Sequence, residues 1–318
     1  MLYDRILVLH SVAPEQKLMQ KGLRLHGIIT ALVTPFSGNG QVDEEALRQL
    51  VQFQIKSGVN GLFPLGTTGM GPAMEPDERK HVAEIVVKET QGRLPVIVQV
   101  GATDPNVSVD LAKHAESFGA DAVACLTPFY YHPGTDSIIA HYKRLAASTK
   151  LPVLVYNIPS NTGNNVDAKL LVQLSRIPNI VGVKDSSRDF SQLLDYLGSV
   201  PQGFTVINGT DSYLFSAFCA GVSAGVSATA NPFPELFVEM YEAYKASDLS
   251  KGARLQKKIH SLRTAMNNPP LAPLLEVLKM RGLKSGNVRP PLRQMNTEEI
   301  NALRSIVIGL APELGIAA

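Results

Sequence analysis

Eight short apolar runs rich in β-branched residues alternate with segments of helical length between His26 and Ala230, and this alternation constrains the fold more than any other feature. The strand candidates are residues 27–35, 58–66, 95–101, 120–128, 152–159, 180–185, 204–209 and 221–230. Helices are expected between them at 43–57, 76–89, 106–118, 136–149, 167–176, 189–197 and 211–220. Pro76 suits a first helical position, where its missing N–H leaves nothing unsatisfied. Gly119 follows the third segment, where helices often end in a left-handed residue. Runs that are apolar on both faces and separated by helices imply a parallel sheet covered on its outside. Eight such units favour closure into a (β/α)8 TIM barrel over an open sheet.

After Asn231 the strand signals stop, and residues 234–245, 248–266, 271–280 and 297–310 read as helix. The expected organisation is an N-terminal extension over residues 1–25, a catalytic barrel over 26–232 and a C-terminal helical region over 233–318. Low-complexity linkers are missing, so the last region is expected to pack on the barrel. The apolar run at residues 6–9 is too short to cross a membrane. It lies between Asp4 and His10 and makes a poor secretory signal.

Hydrophobic residues make up 45% and charged residues 18% of the 318 positions, enough for a large core and against disorder. The net charge of +2, with no basic stripe interleaved with aromatics, argues against a nucleic-acid partner. Membrane partners are not expected either. Cys125 and Cys219 both sit in apolar context and are expected to be buried free thiols in a reducing compartment, which places the chain in the cytoplasm. No Cys-x-x-Cys pair, His cluster, dinucleotide fingerprint or P-loop occurs, so no metal or other cofactor is expected.

In barrels of this kind chemistry sits where strands run out into their following loops. Those ends here carry Thr34-Pro35, Gly66-Thr67-Thr68-Gly69, Thr127-Pro128, Tyr156-Asn157, Lys184-Asp185-Ser186-Ser187, Asn208-Gly209-Thr210 and Ser227 to Asn231. Lys184 ends the apolar run Ile-Val-Gly-Val-Lys. An apolar setting disfavours an ammonium, and the neutral amine is what attacks a ketone to form an imine. A lysine at a strand end can equally snorkel to solvent. Tyr156 ends the preceding run, so a parallel neighbour would bring its phenol near that amine as a proton shuttle; it would serve as well as a buried tyrosine with a satisfied hydroxyl. Thr67 and Thr68 offer hydroxyls and backbone N–H groups to a carboxylate, although hydroxyl-rich turns are common.

Gly66-Thr67-Thr68-Gly69, Thr127-Pro128-Phe129-Tyr130-Tyr131, Tyr156-Asn157-Ile158-Pro159-Ser160-Asn161-Thr162-Gly163, Gly182-Val183-Lys184-Asp185-Ser186-Ser187 and Ser227-Ala228-Thr229-Ala230-Asn231 together resemble the dihydrodipicolinate synthase / N-acetylneuraminate lyase family. The resemblance runs from about His26 to beyond residue 290, with motif order and spacing intact. It implies a Schiff-base lyase or aldolase acting on pyruvate or a hydroxylated 2-oxo acid. Lys184 would be the imine lysine and Tyr156 the proton relay. Thr68 would bind the carboxylate and Thr67 would link to Tyr156. Tyr130 would reach into the relay of a neighbouring subunit, since such proteins are generally homotetramers built as dimers of dimers. The carbonyl of Val226 and the strand end at Gly209 would line the same pocket.

Three departures bear on the substrate. Met70 stands where the family usually has Glu. Asn161 stands where synthases of the family carry an arginine for the carboxylate of aspartate semialdehyde, and a carboxamide offers no charge. Val107 and Phe129 replace the Glu and Tyr of the feedback-lysine site. These changes point away from lysine biosynthesis and toward aldolases or dehydratases of hydroxylated 2-oxo acids. Asn161, Asp185, Ser186 and Ser187 are then suitable partners for substrate hydroxyls, with Asp185 alternatively capping the following turn. Competing readings are the semialdehyde-condensing synthase, a ligand-binding barrel without catalysis, and a phosphate-binding barrel enzyme. The retained set Lys184, Tyr156, Thr67, Thr68 and Tyr130 disfavours the second. The thinness of Gly209-Thr210 as an anion site disfavours the third.

Overall fold

A computed structural model of the chain describes residues 25–266 and 270–312. The eight strands are β1 Gly27–Ala31, β2 Gly61–Phe63, β3 Ile97–Gln99, β4 Ala122–Leu126, β5 Val153–Asn157, β6 Ile180–Asp185, β7 Thr205–Asn208 and β8 Ala224–Ser227. All neighbours pair in parallel, in the order β2-β1-β8-β7-β6-β5-β4-β3. A single parallel bridge, Leu62 to Val96, joins the two ends and closes the barrel. Arg79, from the helix Pro76–Thr90, supports that weak seam. Its guanidinium donates to the Gln99 carbonyl at 2.9 Å and the Gly101 carbonyl at 3.1 Å. Burial pulls this guanidinium down to about 10.

The strands are shorter than the apolar runs that contain them, because the runs continue into the loops at the carboxyl ends. Helices follow the expected segments, and their acidic starts act as caps. Asp43, Asp167, Asp189 and Asp248 each accept a hydrogen bond from a backbone N–H in the first turn. The segment expected as one helix at 211–220 divides into a 3-10 turn, Asp211–Tyr213, and a helix, Leu214–Ala220. A short helix over Pro159–Thr162 was not anticipated.

The strands are buried on both faces, and they sort into two apolar layers. Leu25, Ile29, Phe63, Ile97, Leu154 and Ile207 fill the barrel interior, together with small residues such as Ala122 and Ala224. The alternate residues, among them Ile28, Val98, Val123, Val155 and Val206, meet the helices outside. The expectation that both cysteines are buried fails for Cys219. In its helix Leu214, Phe215, Ala217 and Phe218 form the buried stripe, so Cys219 lies on the opposite face and is exposed. Cys125 is buried, and burial pushes its thiol up to about 12.

Strand β6 carries an irregularity that matters for the site. Val153 pairs with Ile180, but Leu154 pairs with Gly182, so β6 holds one extra residue. Gly182 is needed there, because a Cβ would come within 2.5 Å of the Thr205 carbonyl oxygen. Beyond the bulge Tyr156 pairs with Lys184 and Asn157 with Asp185. Without the extra residue Lys184 would pair with Asn157, whose side chain faces out of the barrel.

Asn231 ties β8 back to β1 from within. Its Oδ1 accepts from Val33 N at 3.0 Å, and its Nδ2 donates to the Ala31 carbonyl at 2.7 Å and the Ala228 carbonyl at 2.8 Å. Asn231→Ala would strand several buried backbone groups. The expected loss is about 3 kcal/mol of stability, at roughly 1 kcal/mol per unmade bond. Chemical denaturation measures it, and a loss under about 1 kcal/mol would show that water replaces these bonds.

Candidate active site

The carboxyl ends of the strands open into a cavity of about 280 Å³. A larger groove, about 870 Å³, runs over the outside of the helix Thr135–Ala147 beside Lys143, Lys150 and Arg176. It touches no strand end, so volume alone does not mark the site. Only the smaller cavity gathers the chemistry-bearing side chains.

Lys184 stands on the floor of that cavity, 4% exposed. Its Nζ lies 3.7 Å from the centre of the Tyr156 ring and 4.5 Å from that of Phe63. Those two rings meet edge to face at 5.6 Å. The amine therefore sits against aromatic faces, with no carboxylate paired to it within 4 Å among the described residues. The Tyr156 hydroxyl lies 3.2 Å from Thr67 Oγ1. The turn carrying Thr67 and Thr68 is pinned from below, where Thr34 Oγ1 donates to the Gly69 carbonyl at 2.8 Å. Leu65 and Met70 bracket it at left-handed φ of 63° and 54°. Met70 is buried in the outer apolar layer, so the position that holds Glu in the resembling family here anchors the turn through packing.

Gly209 brings the β7 loop against the lysine. A Cβ at this position would meet Ser186 Oγ at 2.2 Å and Lys184 Cε at 3.2 Å, so only glycine permits the approach. Val226, Ser186 and Asn161 complete the expected wall, with Asn161 exposed at the mouth on the helix Pro159–Thr162.

Two expected site residues are elsewhere. Asp185 is fully buried and faces out of the barrel. It accepts from Ser187 Oγ at 2.7 Å and from Asn157 Nδ2 at 2.9 Å, and burial raises its carboxyl above the usual range. Asp185 is thus absent from the lining of the cavity, and its bond from Ser187 fits its alternative reading as a cap on the following turn. Adjacent strand residues face opposite ways, so Lys184 and Asp185 cannot both enter the cavity; that alternation is a signal the sequence carried. Tyr130 does not line the cavity of its own chain. It is 80% exposed, at φ 75°, and stacks edge to face on Tyr131 at 5.1 Å.

Other lining residues escaped the reading of the sequence. Asp211 begins the 3-10 turn after β7, is 7% exposed and faces the Thr229 and Ser227 hydroxyls. Burial raises its carboxyl. Its position two residues past Gly209, at a strand end, could have marked it. Arg263, Met266, Leu271 and Leu274 come from the C-terminal helical region, which therefore forms part of the wall as well as packing on the barrel. Nothing in their local pattern announces this. Arg188 did not escape that reading: as the basic residue nearest in sequence after Lys184 it is the expected candidate for a cation in the pocket, and it lines the mouth, at φ 66°, while Leu271 stands at φ 65°. Such backbone costs on the order of 1 kcal/mol at each position and gathers where the surrounding structure is shaped for a site.

The family model described as the dihydrodipicolinate synthetase family matches residues 24–309. An uncharacterised DapA-like lyase of Halobacterium salinarum is 38% identical over 284 residues, which are 89% of this chain and 93% of the relative. A 4-hydroxy-tetrahydrodipicolinate synthase of Acidiphilium cryptum is 35% identical over 288 residues, 90% of this chain and 98% of the relative. Among solved structures, a catalytic-lysine mutant of the Ruminococcus gnavus sialic acid aldolase superposes with a TM-score of 0.88 at 25% identity, covering 92% of this chain and 99% of that one.

Proposed function

The chain belongs to the dihydrodipicolinate synthetase family, a class I Schiff-base lyase or aldolase acting on pyruvate, and on that premise we propose that Lys184 forms the imine and that the favoured substrate is a hydroxylated 2-oxo acid. The observation that carries this reading is the convergence of one buried lysine, Tyr156 on the adjoining strand and Thr67 from the loop after β2 at one rim of the barrel. The Lys184 amine attacks the C2 carbonyl, and the carbinolamine loses water to give an iminium. The substrate carboxylate lies on the Thr67-Thr68 turn. Cleavage of the bond between C3 and C4 sends its electron pair into the iminium and leaves an enamine. Tyr156 takes the proton of the C4 hydroxyl as the aldehyde departs, with Thr67 Oγ1 holding the phenol in place. Protonation of the enamine and hydrolysis of the imine then release pyruvate. Incubation with pyruvate and borohydride should leave a reduced pyruvyl group on Lys184. Labelling at another lysine ends this reading.

The synthase names of several relatives favour a second reading, condensation of pyruvate with aspartate semialdehyde. Asn161 at the cavity mouth weighs against it, because the position where synthases of the family carry an arginine for that carboxylate holds a carboxamide here, which supplies no charge. We expect kcat/KM for the semialdehyde to fall at least roughly tenfold below that for the best of a panel of hydroxylated 2-oxo acids, and Asn161→Arg to narrow the gap. If the semialdehyde is the best substrate by a wide margin, the chain is a synthase.

We also place a second copy of the chain over Tyr130, within a homotetramer. The support is the exposure of Tyr130 and Tyr131, 80% and 74%, in the loop after β4, with Tyr130 at a left-handed φ of 75°. Two free thiols, one of them exposed, suit the reducing cytoplasm. No helix among the described residues is long and apolar enough to cross a membrane.

A further inference from the structure

The cavity holds more positive charge than a single carboxylate uses. Arg263, in the last turn of the helix Leu249–Ala265, and Arg188, after β6, both line it. Neither guanidinium has a carboxylate within 4 Å among the described residues. A half-buried arginine at a helix C-terminus is favoured by the carbonyls there, yet that does not use the five N–H donors of the guanidinium. The nearest acid, Asp211, is engaged first by the Thr229 and Ser227 hydroxyls and feels Arg263 only as a charge. One buried acid thus feels the charge of Arg263, and Arg188 adds a second guanidinium to the lining of the same cavity. The carboxylate beside the reacting ketone is already accounted for by the Thr67-Thr68 turn. An anion on the remaining wall would meet preformed donors in a site of low dielectric, where a charge-assisted contact is strongest.

We propose that Arg263, supported by Arg188, binds a second carboxylate at the far end of the substrate, so that the chain selects dicarboxylic over monocarboxylic 2-oxo acids. The inference rests on the imine at Lys184 and names the class of acid that site accepts. Asn161 and Arg263 reach the cavity from different elements, the helices Pro159–Thr162 and Leu249–Ala265, so their contributions can be varied separately.

The test uses three 2-oxo acids in borohydride trapping at Lys184. Pyruvate is measured first. 2-Oxoglutarate is then compared with its 5-methyl ester, which keeps the open-chain ketone and has a neutral far end of similar length. In the wild-type chain half-maximal labelling should need roughly tenfold less 2-oxoglutarate than ester, the ratio that one charge-assisted contact of about 1.4 kcal/mol supplies. Arg263→Gln should abolish that preference, and Arg263→Lys should restore part of it, because it returns the charge without the fork. Pyruvate labelling without a wild-type preference, or a preference unchanged in Arg263→Gln, overturns the inference alone. Failure of pyruvate to label any lysine overturns the imine reading and this inference with it.

Discussion

Lys184→Arg is expected to remove turnover by on the order of 10⁴-fold or more, and to remove borohydride-dependent labelling entirely. The substitution keeps a cation against the rings of Tyr156 and Phe63, which lie 3.7 and 4.5 Å from the present amine. It supplies no nucleophile, because a guanidinium does not give up its proton in this range. Cation–π packing is therefore retained while imine chemistry is lost, so the two roles of the residue separate. The measurement is single-turnover formation of the reduced adduct by mass spectrometry, with thermal unfolding recorded on the same sample. An unaltered melting transition with no adduct assigns the loss to chemistry. Persistent labelling of the variant would place the imine on another lysine, and among the described residues no second lysine lines the cavity.

Tyr156→Phe should lower kcat by roughly two decades, the scale of a general acid–base contribution, while the fold survives. The ring keeps its edge contact with Phe63 at 5.6 Å and its place beneath the lysine, so packing is conserved. Only the hydroxyl that meets Thr67 Oγ1 at 3.2 Å is removed. Imine formation with pyruvate should slow, and carbon–carbon cleavage should slow with it, because both steps move a proton at that phenol. KM should change less than kcat, since the substrate carboxylate is held by the turn rather than by the ring. Thr67→Val tests the same link from the other side. If the hydroxyl pair acts as one unit, the double variant loses little beyond Tyr156→Phe alone. A rate unchanged by Tyr156→Phe would reduce Tyr156 to a packing residue.

The amino-acid order by itself determined the barrel, because eight apolar runs separated by amphipathic helices leave little other way to bury every face. It also put Lys184, Tyr156 and the Thr67-Thr68 turn forward as candidates that share one cavity, since each ends a run and strand ends point to one rim. Which way those ends face was decided only by the tertiary structure. The extra residue in β6 sets Lys184 opposite Tyr156 and turns Asp185 outward to Asn157, and a bulge of one residue leaves no reliable mark in a uniformly apolar run. Cys219 was misjudged because apolar neighbours in sequence do not reveal the face of a short helix. Arg263 stayed invisible because it belongs to a helix beyond the barrel, brought to the rim by the packing of the C-terminal region. Local pattern reports period and termination, which depend on neighbours along the chain. The composition of a cavity wall depends on contacts between distant segments, and those exist only once the core has closed.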